Sequence, residues 1–199
     1  MKQLNGFEKA KIMTGVSTAL PKGGYIVKIM DCTEVNGEKN GRKYSYLSFY
    51  FDVSEGEYKN HFKTIYDTAP AETRKWKGVY NYFLPEEGSQ YYEDNLNRFK
   101  TTIANFEESN KNYHWDWDEK KLKGKTVGVL FRNEEWDYQG KQGWKAQPFK
   151  FIEAEKIRQG KFTVPKDKPL AGSSSSVSPA PSTAPASDFE EIDDDDLPF

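Results

Sequence analysis

Aromatic side chains interleaved with cations are the residues of this sequence best suited to bind a ligand. They fall into two groups, at residues 42–50 and 132–144. A flat ring can stack on a nucleobase, and a neighbouring lysine or arginine can pair with a phosphate. The pattern therefore favours a single-stranded nucleic acid as ligand, and the predicted binding residues are Arg42, Lys43, Tyr44, Tyr46, Tyr50, Arg132, Trp136, Tyr138, Lys141 and Trp144.

The first group sits on a segment whose two faces separate at a period of two. Within residues 44–53, the odd-numbered positions from 47 onward are all apolar, while Tyr44, Tyr46 and Tyr50 share the other parity with Ser48. This alternation predicts a strand with one face in the core. Two interpretations of the tyrosine row stay open: an exposed binding face, or a face that a helix or an extra strand covers.

The remaining periodicities predict the elements that hold these groups. Strands are expected at 25–35, 44–53 and 60–67, a helix at 92–106, and further strands at 125–132 and 144–157. Turn-forming residues at 36–41 and a loop at 133–143 separate the outer pairs of strands, and residues 68–91 form an insertion of unassigned fold. His61 and Lys63, on the third predicted strand, are interpreted as ordinary solvated residues, with a place on the binding face as the alternative.

The predicted fold class is mainly β. Three strands, a helix and two more strands follow the order of a five-stranded oligonucleotide-binding (OB) barrel, with the helix between strands 3 and 4. That fold binds its ligands on strands 2 and 3 and on the first and last hairpin loops, which is where both aromatic groups fall. We assign residues 24–165 to this domain and residues 1–23 to a lead-in.

Charge is divided unevenly along the chain. The formal net charge is -2, but residues 188–199 hold 7 of the 31 acidic residues and none of the 29 basic ones. Residues 1–187 therefore carry 29 basic against 24 acidic residues, a formal charge of +5. A mildly basic body with an acidic tail is the asymmetry expected when the body meets phosphate and the tail meets another partner.

The composition gives little support for a metal site, a cofactor or a membrane-spanning segment. Cys32 is the single cysteine, so no intrachain disulfide can form, and a reducing, cytoplasmic compartment is expected. His61 and His114 are the only histidines and make no metal-ligand cluster at a familiar spacing. No apolar run reaches the length of a membrane span. We therefore predict no metal site, no cofactor and no membrane partner.

The C-terminal region is predicted to be disordered. Residues 166–187 are interpreted as a flexible Ser/Pro/Ala-rich linker, and residues 188–199 as an acidic tip that ends in an apolar hook beside the terminal carboxylate. Such an ending suits a basic pocket with a hydrophobic floor. The alternative is an acidic tail that serves solubility alone. The predicted partner-binding residues are Asp194, Asp195, Asp196, Leu197, Pro198 and Phe199.

This ending resembles the acidic tip of bacterial single-stranded-DNA-binding proteins, in which a run of aspartates precedes an aliphatic residue, a proline and a phenylalanine. In that family the tip docks replication, repair and recombination enzymes and does not bind DNA. The resemblance therefore implies protein partners for residues 194–199.

The body resembles small single-stranded-DNA-binding proteins of tailed bacteriophages and prophages. The matching residues are Leu20-Pro21, Gly24-Tyr25, Gly124-Lys125, Val127-Gly128, Glu134-Glu135, Glu155-Lys156-Ile157-Arg158, Gly160 and Pro165. The resemblance implies a non-enzymatic protein of phage DNA replication or recombination, in the cytoplasm of an infected or lysogenic bacterium. Self-association into a homo-oligomer is left open by the sequence.

Three other functions stay open at this point. A recombination mediator that anneals strands, or an adaptor whose barrel binds protein, would use the same features. A metal-dependent nuclease is less favoured, because the body has no phosphate-binding glycine loop and no nucleophile paired with a base. Aspartates on a mobile tail cannot hold a metal ion in a fixed geometry.

Overall fold

The computed structural model describes residues 19–39 and 41–170. Most of the predicted lead-in, the linker from residue 171 onward and the acidic tip lie outside the described residues. The elements are β1 (Gly23–Lys39), β2 (Arg42–Val53), α1 (His61–Thr68), β3 (Val79–Phe83), α2 (Tyr92–Ser109), a 3₁₀ helix (Glu119–Leu122), β4 (Thr126–Tyr138), β5 (Lys141–Ile152) and α3 (Ala154–Arg158).

One five-stranded sheet organises the fold, in the order β3-β2-β1-β4-β5. Every neighbouring pair is antiparallel, and β1 pairs with both β2 and β4. A bulge between Ile29 and Asp31 interrupts the pairing of β1 with β2, and a second interrupts β4 with β5 at Leu130 and Phe131. The mainly β class and the helix between the third and fourth strands are thus confirmed.

The core lies on one side of this sheet, as the alternation of apolar residues predicts. Phe49 and Phe51 of β2 and Val127 and Val129 of β4 are almost fully buried there. Helix α2 covers this side, and its Phe106 ring stacks on Phe49 with centroids 5.8 Å apart. The opposite side of the sheet is called the outward surface below.

The third strand is not where the sequence places it. Residues 60–67, predicted as a strand, form helix α1, and β3 lies inside the predicted insertion 68–91. The carboxylate of Asp52 on β2 accepts the backbone N–H groups of Phe62 (2.9 Å) and Lys63 (3.1 Å) at the start of α1. These bonds satisfy donors that a helix leaves free in its first turn, so a residue outside the segment stabilises the helix.

The predicted loop 133–143 is a β-ribbon. Strands β4 and β5 continue through it to a turn at Gln139 and Gly140, whose φ angles are 52° and 75°. Two consecutive positive φ angles are the requirement of a tight hairpin turn that matches the twist of its strands. The fifth strand also ends earlier than predicted, at Ile152, because residues 154–158 form α3.

Residues 166–170, predicted as the start of the linker, pack against the domain. The Lys168 N–H donates to the Asn133 carbonyl (2.8 Å), and the Glu135 N–H donates to the Lys168 carbonyl (2.9 Å). The carboxylate of Asp167 forms an ion pair with Lys22 at 2.9 Å. The chain therefore leaves the described domain beside the β4–β5 ribbon.

Candidate nucleic-acid interface

Three aromatic rings meet on the outward surface of β2 and β3. The register pairs Tyr46 with Phe83 and Tyr50 with Val79, so these residues lie on the side away from the core. The rings of Tyr44 and Tyr46 are stacked, 6.1 Å apart and 13° from parallel. Phe83 lies 5.4 Å from Tyr46 and 6.4 Å from Tyr44. We call the surface formed by Tyr44, Tyr46, Tyr50 and Phe83 the tyrosine face.

The tyrosine face is open to solvent. Tyr44 is 39% exposed and Phe83 63% exposed, Tyr50 is also exposed, and Tyr46 is half-buried between its neighbours. Of the two interpretations of the tyrosine row, the exposed face is therefore the one found among the described residues. Ser48, in the middle of the row, is buried and donates a 2.9 Å hydrogen bond to the side-chain oxygen of Asn81 on β3.

The second aromatic group lies on the β4–β5 ribbon and divides between its two faces. Trp136 pairs with Gly143 and Tyr138 with Lys141, which places these residues on one face. Trp136 is 41% exposed and Tyr138 is 68% exposed. Trp144 pairs with Glu135 and lies on the opposite face of the ribbon. The group therefore offers two exposed rings and one cation, Lys141, to a ligand on a single side.

Two of the predicted cations do not stand beside these rings as expected. The guanidinium of Arg132 is 4.2 Å from the centre of the Phe149 ring, and its Nε is 3.2 Å from a carboxylate oxygen of Glu134. Arg132 is only 8% exposed, and its guanidinium packs against Phe149 of β5. Lys43 is exposed but has the parity opposite to Tyr44. The side chain of Arg42 lies outside the described residues.

The outward surface is covered between the two hairpins. A Cβ atom at Gly128 would lie 2.7 Å from the Ile157 side chain of α3. The absence of a side chain at Gly128 therefore makes room for a helix. Ile26 and Leu130 are buried on the same stretch. The ring groups are thus confined to the two hairpins and to β3.

Two residues of α1 that the sequence placed on the third strand lie away from the tyrosine face. Lys63 forms an ion pair with Asp67 of the same helix at 2.7 Å. Burial lowers the pKa of His61 below its ordinary value. Neither residue lies on a strand, and their interpretation as ordinary solvated residues outside the binding face stays a prediction.

Phe83, Lys75 and Lys77 are candidate interface residues that the sequence interpretation missed. Trp76 is half-buried, and its indole N–H donates to the carbonyls of Phe51 (3.2 Å) and Gly78 (3.1 Å). This anchor fixes the segment before β3 and leaves Lys75 and Lys77 exposed on either side of it. The available signal was the Arg-Lys-Trp-Lys run at 74–77, which lay in a segment of unassigned fold.

A groove of about 1130 Å³ adjoins the tyrosine face at the end of the first hairpin. Its walls are the β1–β2 hairpin, through Lys43 and Tyr44, and the segment between β3 and α2, through Phe83, Glu86 and Tyr91. The groove continues the exposed ring surface beyond the strands.

Comparison with known proteins identifies no family for this chain. No family model matches it, and no curated protein matches it significantly. Within the described residues, no helix is long and apolar enough to cross a membrane. No group of three or more His, Cys, Asp or Glu side chains in this part of the chain could hold a metal ion.

Proposed function

We propose that the protein binds single-stranded DNA without catalysis and with little sequence preference, in phage DNA replication or recombination. The observation that carries this proposal is the solvent-accessible cluster of Tyr44, Tyr46 and Phe83 on two adjacent strands. Aromatic rings suit stacking on any base, because every base has a π-face. The bacterial cytoplasm implied by the phage resemblance is the setting in which we place this activity.

The arrangement of the strands supports an OB-type domain. An OB barrel pairs its strands in the cyclic order 1-2-3-5-4, and the order β3-β2-β1-β4-β5 is that cycle opened between β3 and β5. The Tyr80 hydroxyl on β3 donates to the Phe149 carbonyl on β5, so a side chain spans the open seam. The tyrosine face lies on the second and third strands, where this fold binds oligonucleotides.

The dimensions of the face suit a few nucleotides. Tyr44 and Tyr50 are six residues apart on β2, which corresponds to about 20 Å along a strand. Lys43, although its parity is opposite to that of Tyr44, lines the groove at one end of the face. Lys75 and Lys77 precede Val79, the partner of Tyr50, at the other end. Cations at both ends can hold the phosphates of a strand whose bases stack between them, at roughly 1–3 kcal/mol per stacked base.

The C-terminal tip is proposed as the partner-binding part of the protein. Residues 194–199 would dock replication, repair or recombination enzymes, as the resemblance implies. The 17 residues 171–187 would reach about 20–25 Å as a flexible chain. Deletion of Phe199 is expected to abolish binding to enzymes that recognise such tips and to leave DNA affinity unchanged. A partner affinity that survives the deletion would contradict the role of the tip.

Titration of the full chain with oligo-dT, followed by tryptophan fluorescence, tests the DNA-binding proposal. We expect quenching at low salt, weaker binding as salt rises because counterions are released, and a clear preference over duplex DNA of the same length. Equal affinity for duplex, or no binding at low salt, would refute the proposal. A parallel titration with single-stranded RNA decides between the two nucleic acids.

A further inference from the structure

Two of the exposed rings lie over a glycine on the neighbouring strand. Gly37 is the cross-strand partner of Tyr44, and Gly143 is the cross-strand partner of Trp136. A Cβ atom added at Gly37 would lie 2.5 Å from Cζ and Oη of Tyr44, and one added at Gly143 would lie 2.9 Å from Cζ2 of Trp136. Either side chain would therefore displace the ring above it.

The backbone does not require glycine at these two positions. Neither Gly37 nor Gly143 has a φ angle in the left-handed region, whereas Gly41 and Gly140 in the adjoining turns do. A strand residue with an ordinary φ angle is normally more stable with a side chain, because glycine loses more conformational freedom on folding. What requires glycine here is the position of each ring, because any side chain at Gly37 or Gly143 would collide with it.

We propose that Gly37 and Gly143 are positioning residues that hold Tyr44 and Trp136 against their hairpins, so that the exposed part of each ring can stack on a base. This inference rests on the proposed single-stranded-DNA binding. A seated ring is already in its binding position, so it loses less freedom when a base stacks on it. The two rings are 39% and 41% exposed, although they belong to different residue types on different hairpins.

The chain contains a matched control for this contact. A Cβ atom at Gly24, also on β1, would lie 2.8 Å from the ring of Phe162. This pair sits on the covered stretch of the outward surface, apart from both hairpin groups. Gly24→Ala therefore disturbs an aromatic ring over a glycine without touching a ring proposed to stack on DNA.

The contact between each ring and its glycine can be measured without DNA. In full-length protein labelled with ¹³C at glycine, the α-protons of Gly37 and Gly143 should show upfield ring-current shifts. Tyr44→Leu should remove the shift of Gly37 alone, and Trp136→Leu that of Gly143 alone. Ordinary shifts for both glycines in the wild-type chain would overturn the seating.

Affinity for oligo-dT then tests the function of the seating. Gly37→Ala and Gly143→Ala should each weaken binding roughly 5- to 150-fold, the range for loss of one stacked base, while Gly24→Ala leaves affinity unchanged. In a Trp136→Leu background, Gly143→Ala should have no further effect, because the glycine acts through that ring. A full additional loss in that background would overturn the positioning role, even if Gly143→Ala weakens binding alone.

The outcomes separate this inference from the function on which it rests. No binding of single strands by the wild-type chain would refute the proposed function, and the positioning role with it. Wild-type binding that persists unchanged in Gly37→Ala and Gly143→Ala would refute the positioning role alone.

Discussion

Tyr80 and Phe149 connect the two edge strands of the sheet. The Tyr80 hydroxyl, on β3, donates a 2.5 Å hydrogen bond to the backbone carbonyl of Phe149, on β5. The Tyr80 ring also packs on Phe151, with centroids 5.2 Å apart. Burial raises the pKa of Tyr80 well above its ordinary value, so the hydroxyl keeps its proton and remains a donor.

Tyr80→Phe removes the hydroxyl and keeps the ring, so it measures this connection alone. We expect the free energy of unfolding to fall by about 1–2 kcal/mol, because the Phe149 carbonyl loses a partner in a partly buried site. Urea unfolding followed by circular dichroism gives the value. Tyr138→Phe, at an exposed ring, should change stability by less than about 0.5 kcal/mol. Equal effects of the two substitutions would show that the connection contributes nothing specific.

Asp52→Ala tests the carboxylate at the start of α1. Asp52 accepts the backbone N–H groups of Val53, Phe62 and Lys63, at 2.9, 2.9 and 3.1 Å. Its loss should cost roughly 1–3 kcal/mol of stability, because the donors at Phe62 and Val53 would be buried without a partner. Hydrogen exchange should show lower protection of the first turn of α1. Asp67→Ala, which breaks the exposed ion pair with Lys63, is the control and should cost under about 0.5 kcal/mol.

The Asp52 contact also explains why α1 was predicted as a strand. Phe62, Ile65 and Tyr66 give the segment strand-like composition, and its preceding residue, Asn60, makes no side-chain cap. The capping carboxylate belongs to a strand residue about ten positions earlier, so the residues of the segment itself do not indicate that the helix is capped. Tertiary contacts of this kind override propensity.

Patterns with one buried face were predicted well, and patterns without one were not. The alternation in β2 and the apolar stripe of Phe99, Ile103 and Phe106 in α2 arise because each element buries one face in the core. Beyond Phe131, both faces of the β4–β5 ribbon carry a mixture of aromatic and charged residues, so neither face is uniformly apolar and the sequence resembles a loop. In β3, Tyr80 and Tyr82 point towards the core, but Phe83 points outward. The apolar residues of this strand therefore do not alternate regularly along the sequence. The most exposed ring of the tyrosine face was missed for that reason.

Substitution of single rings tests the tyrosine face. Tyr44→Leu and Phe83→Leu should each weaken oligo-dT binding by roughly 1–3 kcal/mol, the contribution of one stacked base, with little change in unfolding. Fluorescence titration and urea unfolding of each variant provide the two measurements. Trp117→Leu is the control, since Trp117 is exposed but lies beside Phe99 of α2 and away from this face. An equal loss of affinity in the Trp117 variant would place the ligand elsewhere.

Salt dependence tests Lys75 and Lys77 independently of the rings. Each charge that pairs with a phosphate of a single strand contributes about 0.7 to the slope of log affinity against log salt. Lys75→Gln and Lys77→Gln should each reduce the slope by about that amount and weaken binding most at low salt. Lys111→Gln, at an exposed lysine after α2, should leave the slope unchanged. A wild-type slope in both test variants would remove the 74–77 segment from the interface.

Cys32 gives the protein a predictable response to alkaline pH. The thiol is almost fully buried, and burial, with smaller effects of the Glu119 and Asp31 carboxylates, raises the pKa of Cys32 to about 12. An unfolded chain releases this proton near pH 9, the ordinary value for a thiol, while the folded protein retains it. The folded state binds more protons in this window, so the contribution of Cys32 to stability is constant below pH 9 and falls as pH rises towards 12.

The Cys32→Ala variant isolates this effect from the tyrosines, which titrate from about pH 10 upward in an unfolded chain. Between pH 9 and 10, the wild-type free energy of unfolding should decline by about 1 kcal/mol more than that of Cys32→Ala. A thiol reagent should modify Cys32 in urea-unfolded protein and leave the native protein unmodified over the same time. Rapid modification of the native protein at pH 8 would mean that the thiol is accessible, and the pH dependence attributed to it would then be wrong.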